Sequence, residues 1–137
     1  MAATWRALPA LYEAVVAGIS AVPGTVAASG HCSHAYLDGG CLYFTFAGHA
    51  GDDPADKDAY YRAAFDAALS ATLAAGGAIS HHHGVGLLRG PWMAPALGEE
   101  AFAALADLKA ALDPAGILNP GKLGLPSRFV PEGWTWW

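Results

Sequence analysis

Residues 37–48, LDGGCLYFTFAG, carry the strongest indication of the fold. Asp38-Gly39 is typical of a tight β-hairpin turn, because glycine accepts positive φ. In the strand that follows, every second side chain lies on the same face. The face expected to form the core carries Leu42, Phe44 and Phe46. The other face presents the phenol of Tyr43, which needs a polar partner. The pattern predicts a hairpin in which this strand pairs with residues 25–36.

The segments around the hairpin read as helices. An apolar stripe with Pro9 in its first turn predicts a helix that ends at residues 23–24. A second helix can be capped by Asp53 and started by Pro54, and glycines 76–77 end it. Its expected buried stripe consists of Tyr61, Phe65, Ala68, Leu69, Thr72 and Leu73.

The rest of the chain completes an α+β pattern. Residues 78–80, AIS, form a short predicted strand, and a last helix begins at the acidic residues 99–100 and ends at 113–114. Residues 115–137 read as a loop rich in glycine and proline. This order favours an antiparallel sheet with helices on one face. It matches a ferredoxin-like βαββαβ unit whose first strand is missing. We expect residues 1–137 to form a single domain.

Composition excludes several classes of protein. The chain has 137 residues, of which 54% are hydrophobic, so a globular core is expected. The net charge of −5 argues against a nucleic-acid binder, which needs clustered Lys and Arg. No apolar run is long enough to span a bilayer, and the first residues do not read as a secretion signal. We therefore expect a cytoplasmic protein with reduced Cys32 and Cys41, a bridge between them being the alternative.

The stretch SHHHGVG, residues 80–86, holds three of the six histidines. If residues 80–83 continue the strand, His81 and His83 point one way and His82 the other. Tyr43 is also predicted to point away from the helices. A phenol and an imidazole on one surface suit proton transfer, because imidazole titrates near neutrality. The glycines of HGVG would let the backbone approach a ligand closely.

Other interpretations of the histidine run stay open. It could be a polar strand end whose hydrogen bonds are satisfied. It could be a metal site completed by His31, His34 or His49. No CxxC, HExxH or carboxylate cluster accompanies it, so the sequence assigns no metal ligands. The chain also lacks a GxSxG elbow and the GxGxxG and GxxxxGK[ST] phosphate-binding loops.

Three motifs carry a resemblance to a known family. SHHHGVG, DGGCLYFTF and LDPAGILNPGKL, in their order and spacing, resemble the C-terminal part of FAD-linked oxidases of the vanillyl-alcohol oxidase superfamily. The chain is most similar to the group of alkyldihydroxyacetonephosphate synthase and its bacterial FAD-binding relatives. The resemblance extends from about Thr4 to Leu123. It implies a ferredoxin-like cap domain that covers the substrate side of a flavin held by a separate FAD-binding domain.

The resemblance also implies roles for individual residues. Tyr43 matches the catalytic acid–base of the synthases. Catalytic roles are also implied for the histidine run, His81, His82 and His83. Residues implied to contact the cofactor are His82, His83, Asn119 and Lys122. The implied reaction is hydride transfer from a substrate carbon to FAD, with Tyr43 and the histidines handling the hydroxyl proton. The alternative is non-redox flavin chemistry of the synthase type.

The resemblance covers only the later part of the cap. We therefore expect FAD to be bound mostly by a domain outside this chain, in cis or in trans, and the isolated chain to be inactive. A missing strand would expose unpaired backbone groups at a sheet edge, which predicts a homo-oligomer. The rival class is a flavin-free α+β module that binds a small ligand or a partner through the same face.

Overall fold

The computed structural model of the chain describes residues 1–129, and residues 130–137, the end of the predicted C-terminal loop, lie outside the described residues. The chain divides into two compact units, one of residues 1–82 and one that begins at His83. A single domain over the whole chain stays a prediction. None of the helices within residues 1–129 has both the length and the apolar character needed to cross a bilayer.

The first unit is an antiparallel sheet with two helices. Its elements are β1 (Ala2–Thr4), α1 (Leu8–Ser20), β2 (Thr25–Ala35), β3 (Gly39–Gly48) and α2 (Pro54–Ala74). The strand order is β1-β3-β2. Ala2 pairs with Cys41 on one side of β1 and forms an antiparallel bridge with Ala78 on the other. With this bridge counted, the segments follow the ferredoxin-like order βαββαβ. The predicted α+β class is confirmed.

The strand expected to be missing is present. β1 spans three residues and pairs with β3 antiparallel. A segment this short has no alternation that sequence analysis could detect. Gly39 lies at the contact, where a Cβ would collide with the carbonyl oxygen of Ala3. Gly39 does not adopt positive φ, so its role is close strand approach and the predicted reason for a glycine in this turn was wrong. The predicted strand 78–80 is reduced to the bridge at Ala78.

The core of the first unit lies between the sheet and the two helices. Its buried members are Leu8, Leu11, Val15, Ile19, Leu42, Ala64 and Ala68. Asp53 caps α2 as predicted, accepting a hydrogen bond from the backbone N–H of Ala55 at 2.8 Å. The predicted stripe of α2 was partly wrong, because Tyr61 is 42% exposed whereas Ala64 is fully buried. Small residues let α1 and α2 approach each other closely. A Cβ on Gly18 of α1 would already lie 3.4 Å from the Ala67 carbonyl oxygen of α2.

The β2–β3 ladder contains two irregularities. One residue is inserted between Thr25 and Ala27, and another between Cys32 and His34. The second is a β-bulge at Ser33: Cys32 pairs with Leu42 and His34 with Cys41. Since side chains alternate along a strand, an unbulged strand would direct His34 to the helix side. The bulge places it on the opposite side, which we call the outer face.

The second unit contains helices and tight turns. Short 3-10 turns occupy Gly90–Trp92 and Lys122–Gly124, and the helices are α3 (Met93–Leu97) and α4 (Glu99–Leu112). The backbones of the two turns touch, since a Cβ on Gly90 would lie 2.8 Å from the Gly124 nitrogen. The Leu123 amide also donates to the Gly86 carbonyl at 2.9 Å. The lack of a side chain at Gly90 and Gly124 permits the close contact between the two turns.

Candidate functional site

Tyr43 stands on the outer face of the sheet, as predicted. Its neighbour Leu42 is buried in the core, whereas Tyr43 is 44% exposed. Across the ladder it pairs with His31, and the two ring centroids lie 5.4 Å apart. An imidazole beside the phenol is therefore supplied by β2. Sequence analysis named His31 only as a helper in a metal site, because the cross-strand register was unknown.

The first two residues of the histidine run lie on the same face, beside His34, whose ladder partner Cys41 is two residues before Tyr43 on β3. The ring of His34 is 5.3 Å from that of His81 and 4.8 Å from that of His82, centroid to centroid. The Nδ1 atoms of His81 and His82 are 2.9 Å apart. The predicted alternation was wrong: the chain bends after Ile79, so both side chains are exposed and both approach His34.

A thiol completes this group. One ligand atom from each of four residues lies within 4.8 Å of the others, and we call them the histidine–cysteine cluster: His34, Cys41, His81 and His82. Cys41 is buried, and it faces His34 because of the bulge at Ser33. Sequence analysis considered Cys41 only as a reduced thiol or half of a disulfide. Both cysteines are free, and Cys32 pairs with Leu42, not with Cys41.

Ser33 connects the two strands at the cluster. Its hydroxyl lies 3.1 Å from His34 Nδ1 and donates a 3.4 Å hydrogen bond to the Cys41 carbonyl. The ring of Tyr36 lies 6.4 Å from His34 and 5.5 Å from His81. His49 does not join the cluster, because it follows the far end of β3, roughly 23 Å of strand from Cys41.

The remaining predicted residues belong to the second unit. His83 is its first residue and is exposed. Asn119 is exposed and adopts a φ of 45°, and its carbonyl accepts a hydrogen bond from the Lys122 amide at 3.3 Å. These two residues therefore share one turn after α4. Their contact with a cofactor stays a prediction.

A buried carboxylate organises the turn that contains Asn119. Asp113 accepts hydrogen bonds from the amides of Ile117, at 3.2 Å, and Leu118, at 2.9 Å, and it forms an ion pair with Lys109. Lys109 Nζ also donates to the Leu118 carbonyl at 2.6 Å. The Lys109 ammonium, helped by these amides, holds the pKa of Asp113 below its usual value. The sequence pattern predicts only a helix end here, because these bonds depend on how the turn folds back.

Comparisons with a family profile and with curated proteins indicate the same family. The sequence profile described as "FAD linked oxidases, C-terminal domain" matches residues 1–123. The alkyldihydroxyacetonephosphate synthase of Trypanosoma brucei brucei is 39% identical over 125 residues, which are 90% of this chain and 19% of that protein. The uncharacterized FAD-linked oxidoreductase YgcU of Escherichia coli K12 is 30% identical over 125 residues, 87% of this chain and 26% of that protein. The chain thus spans about a quarter or less of these curated relatives.

Proposed function

This chain belongs to the family of FAD-linked oxidase C-terminal domains, and we propose that it covers the substrate side of a flavin and supplies acid–base groups for oxidation of a hydroxyl-bearing substrate. The observation that carries this proposal is the outer face of the sheet. Tyr43 and His31 stand there as an exposed phenol–imidazole pair, with ring centroids 5.4 Å apart. α1 and α2 pack against the opposite face, and Tyr43 is 44% exposed on this one.

The described residues suit the ring of a flavin better than its phosphates. The outer face offers phenol and imidazole groups, which can stack on or hydrogen-bond to a flat heterocycle. The sequence has no glycine-rich phosphate loop. FAD, when bound, supplies the acceptor for the substrate hydride. We propose that a separate FAD-binding domain holds the rest of the cofactor, with Asn119, Lys122, His82 and His83 as contacts from this chain.

Within this arrangement Tyr43 acts as the acid–base group. The Tyr43 hydroxyl passes its own proton to the His31 imidazole beside it, and its oxygen then takes the proton of the substrate hydroxyl. His81 and His82 are proposed to line the same substrate space, and a catalytic role is also proposed for His83. Because Tyr43, His31 and the first two residues of the histidine run are ionisable groups on this face, the substrate would meet several polar groups there.

A second candidate is flavin chemistry without net oxidation. Alkyldihydroxyacetonephosphate synthases from three organisms are 38–39% identical to this chain over the matched residues. Oxidation and synthesis would use the same Tyr43 hydroxyl as a proton carrier, so the structure favours both equally. The third class, a flavin-free binding module, would need neither FAD nor a partner domain.

One chimera separates these classes. The 125 matched residues of the trypanosome synthase are replaced by this chain, and FAD content, product formation and anaerobic flavin bleaching are measured. We expect the chimera to retain FAD. Bleaching by substrate then identifies an oxidase, and product without lasting bleaching identifies a synthase. A soluble, folded chimera that carries FAD but has neither activity would contradict the proposal. The isolated chain should bind FAD no more tightly than micromolar, as measured by titration calorimetry.

Two further expectations remain proposals. We propose a cytoplasmic location. We also propose a homo-oligomer, because within residues 1–129 β2 lies at the edge of the sheet and carries Val26, which is 77% exposed. Light scattering at micromolar concentrations tests association, and a 14.1 kDa species throughout would show that the isolated chain is a monomer.

A further inference from the structure

We propose that the histidine–cysteine cluster binds one divalent ion of the zinc class. This goes beyond the proposed flavin chemistry, since binding of the ion needs neither FAD nor substrate. Cys41 lies two residues before Tyr43 on β3, so the ion would also fix the His81 and His82 rings that are proposed to line the substrate space. The cluster joins two segments that are distant in sequence, the β2–β3 hairpin and the bend after Ile79. A bound ion would fix that bend to the hairpin.

The spacing of the donor atoms supports a metal site. In a tetrahedral zinc site, bonds of about 2.0–2.3 Å place neighbouring donor atoms about 3.3–3.6 Å apart. The four donors of the cluster already lie within 4.8 Å of one another. The widest pair must therefore close by about 1.2–1.5 Å, given those bond lengths. The three histidines are exposed, so small side-chain rotations can supply that movement without disturbing the core.

The chemistry of the donors selects the ion. Imidazole nitrogen and thiolate sulfur are the ligands that zinc prefers in proteins, and three imidazoles with one thiolate make a complete four-ligand set. The cluster contains no carboxylate, whereas Mg²⁺ and Ca²⁺ require oxygen ligands. The thiol of Cys41 binds as the thiolate, so binding releases its proton to solvent.

Neighbouring groups hold the ligands in place. Metal-binding histidines commonly use their second ring nitrogen to contact a hydroxyl, carbonyl or carboxylate, which fixes the ring orientation. The Ser33 hydroxyl lies 3.1 Å from Nδ1 of His34, which leaves Nε2 for an ion. The same hydroxyl bonds to the Cys41 carbonyl at 3.4 Å. Ser33 is the bulge residue, so one local irregularity both aligns His34 with Cys41 and steadies its ring.

The test uses Co²⁺ as a spectroscopic substitute for Zn²⁺. The purified full chain, kept reduced, is titrated with Co²⁺ and then with Zn²⁺. We expect one equivalent of Co²⁺ to give a near-ultraviolet thiolate-to-cobalt charge-transfer band with visible bands of tetrahedral intensity. Zn²⁺ should remove these bands and raise the Tm of the chain, because an ion that binds only the folded state stabilises it.

Matched variants identify the ligands. Cys41→Ser should abolish the charge-transfer band, whereas Cys32→Ser should keep it. His81→Ala and His82→Ala should each weaken Zn²⁺ binding by at least the roughly 10- to 100-fold that loss of a supporting group costs. His49→Ala should leave affinity unchanged. The three histidines are exposed, so their substitution should leave the fold intact. These variants therefore remain informative if Cys41→Ser is unstable.

Three results would overturn the proposal. The first is a wild-type chain that shows no charge-transfer band at one equivalent of Co²⁺. The second is a band that survives Cys41→Ser or disappears in Cys32→Ser. The third is equal loss of Zn²⁺ affinity in the His81, His82 and His49 variants, since that would indicate unspecific surface binding.

Discussion

The outer face of the first unit and the turn that follows α4 in the second, residues 113–118, show two different uses of polar side chains. We call this second region the terminal turn. On the outer face, Tyr43 and the histidines are exposed, and their neighbours come from distant parts of the chain. In the terminal turn, Asp113 is buried, and its side-chain partners among residues 1–129 lie within five positions of it. Both regions belong to motifs that stand out in the sequence.

The difference indicates that the polar groups of the terminal turn stabilise the fold, whereas those of the outer face serve function. A buried carboxylate whose bonds are all used within its own turn holds that turn and has little left for a ligand. Exposed imidazole and phenol groups gathered on one face contribute little to stability and are available for chemistry. Substitutions on the outer face should therefore change activity, and those at Asp113 should change stability.

The largest effect is expected at Tyr43. In the chimera, Tyr43→Phe should lower turnover by roughly 10²–10⁴-fold, because it removes only the hydroxyl that carries the proton. FAD content and Tm should not change. The matched control is Tyr61→Phe, since Tyr61 has almost the same exposure, 42% against 44%, but lies on α2. Comparable turnover in the two variants would reduce Tyr43 to a packing residue.

The opposite pattern is expected at Asp113. Asp113→Ala removes the acceptor for the Ile117 and Leu118 amides and the partner of Lys109, so it should lower the Tm of the second unit by several degrees. Asp107→Ala on the exposed side of α4 serves as the control and should be nearly neutral. If Asp113→Ala left Tm unchanged, the terminal turn would not depend on this carboxylate.

The stability that Asp113 contributes should also depend on pH. Its pKa in the folded chain lies below the ordinary value of 3.8, chiefly because of Lys109. The ionised form is thus favoured by folding, so its contribution is complete above about pH 4 and falls as pH drops through the folded pKa. The difference in Tm between wild type and Asp113→Asn should be constant from pH 7 to about 5 and shrink below about 4. A difference that grew on acidification would reverse the assigned sign.

The smallest effect distinguishes the two interpretations of Asn119. Its φ of 45° lies in the left-handed region, so Asn119→Ala should destabilise the chain by about 1 kcal/mol whereas Asn119→Gly should not. Urea unfolding measures this pair. In the chimera, loss of FAD from a stable Asn119→Gly variant would support a cofactor contact. Full FAD content would leave Asn119 as a turn residue.

The sequence predicted the features that depend on local pattern. The cap at Asp53, the alternation of β3 and the exposure of Tyr43 follow from neighbouring residues alone. The pairing of Tyr43 with His31 and the meeting of Cys41 with the histidines depend on register, which a bulge at Ser33 shifts by one residue. The burial of Ala64 depends on how closely α1 approaches α2. The hydrophobic periodicity of a single segment predicts neither the register between two strands nor the distance between two helices.

The bulge at Ser33 has a consequence for how relatives are compared. It lets His31 and His34, three residues apart, stand on the same side of a strand whose ordinary repeat is two. A chain one residue shorter, with His-x-His in this place, would reach the same placement by an unbroken ladder. Insertions and deletions at this point are therefore tolerated by the geometry, and an alignment gap between the two histidines need not mark a lost site.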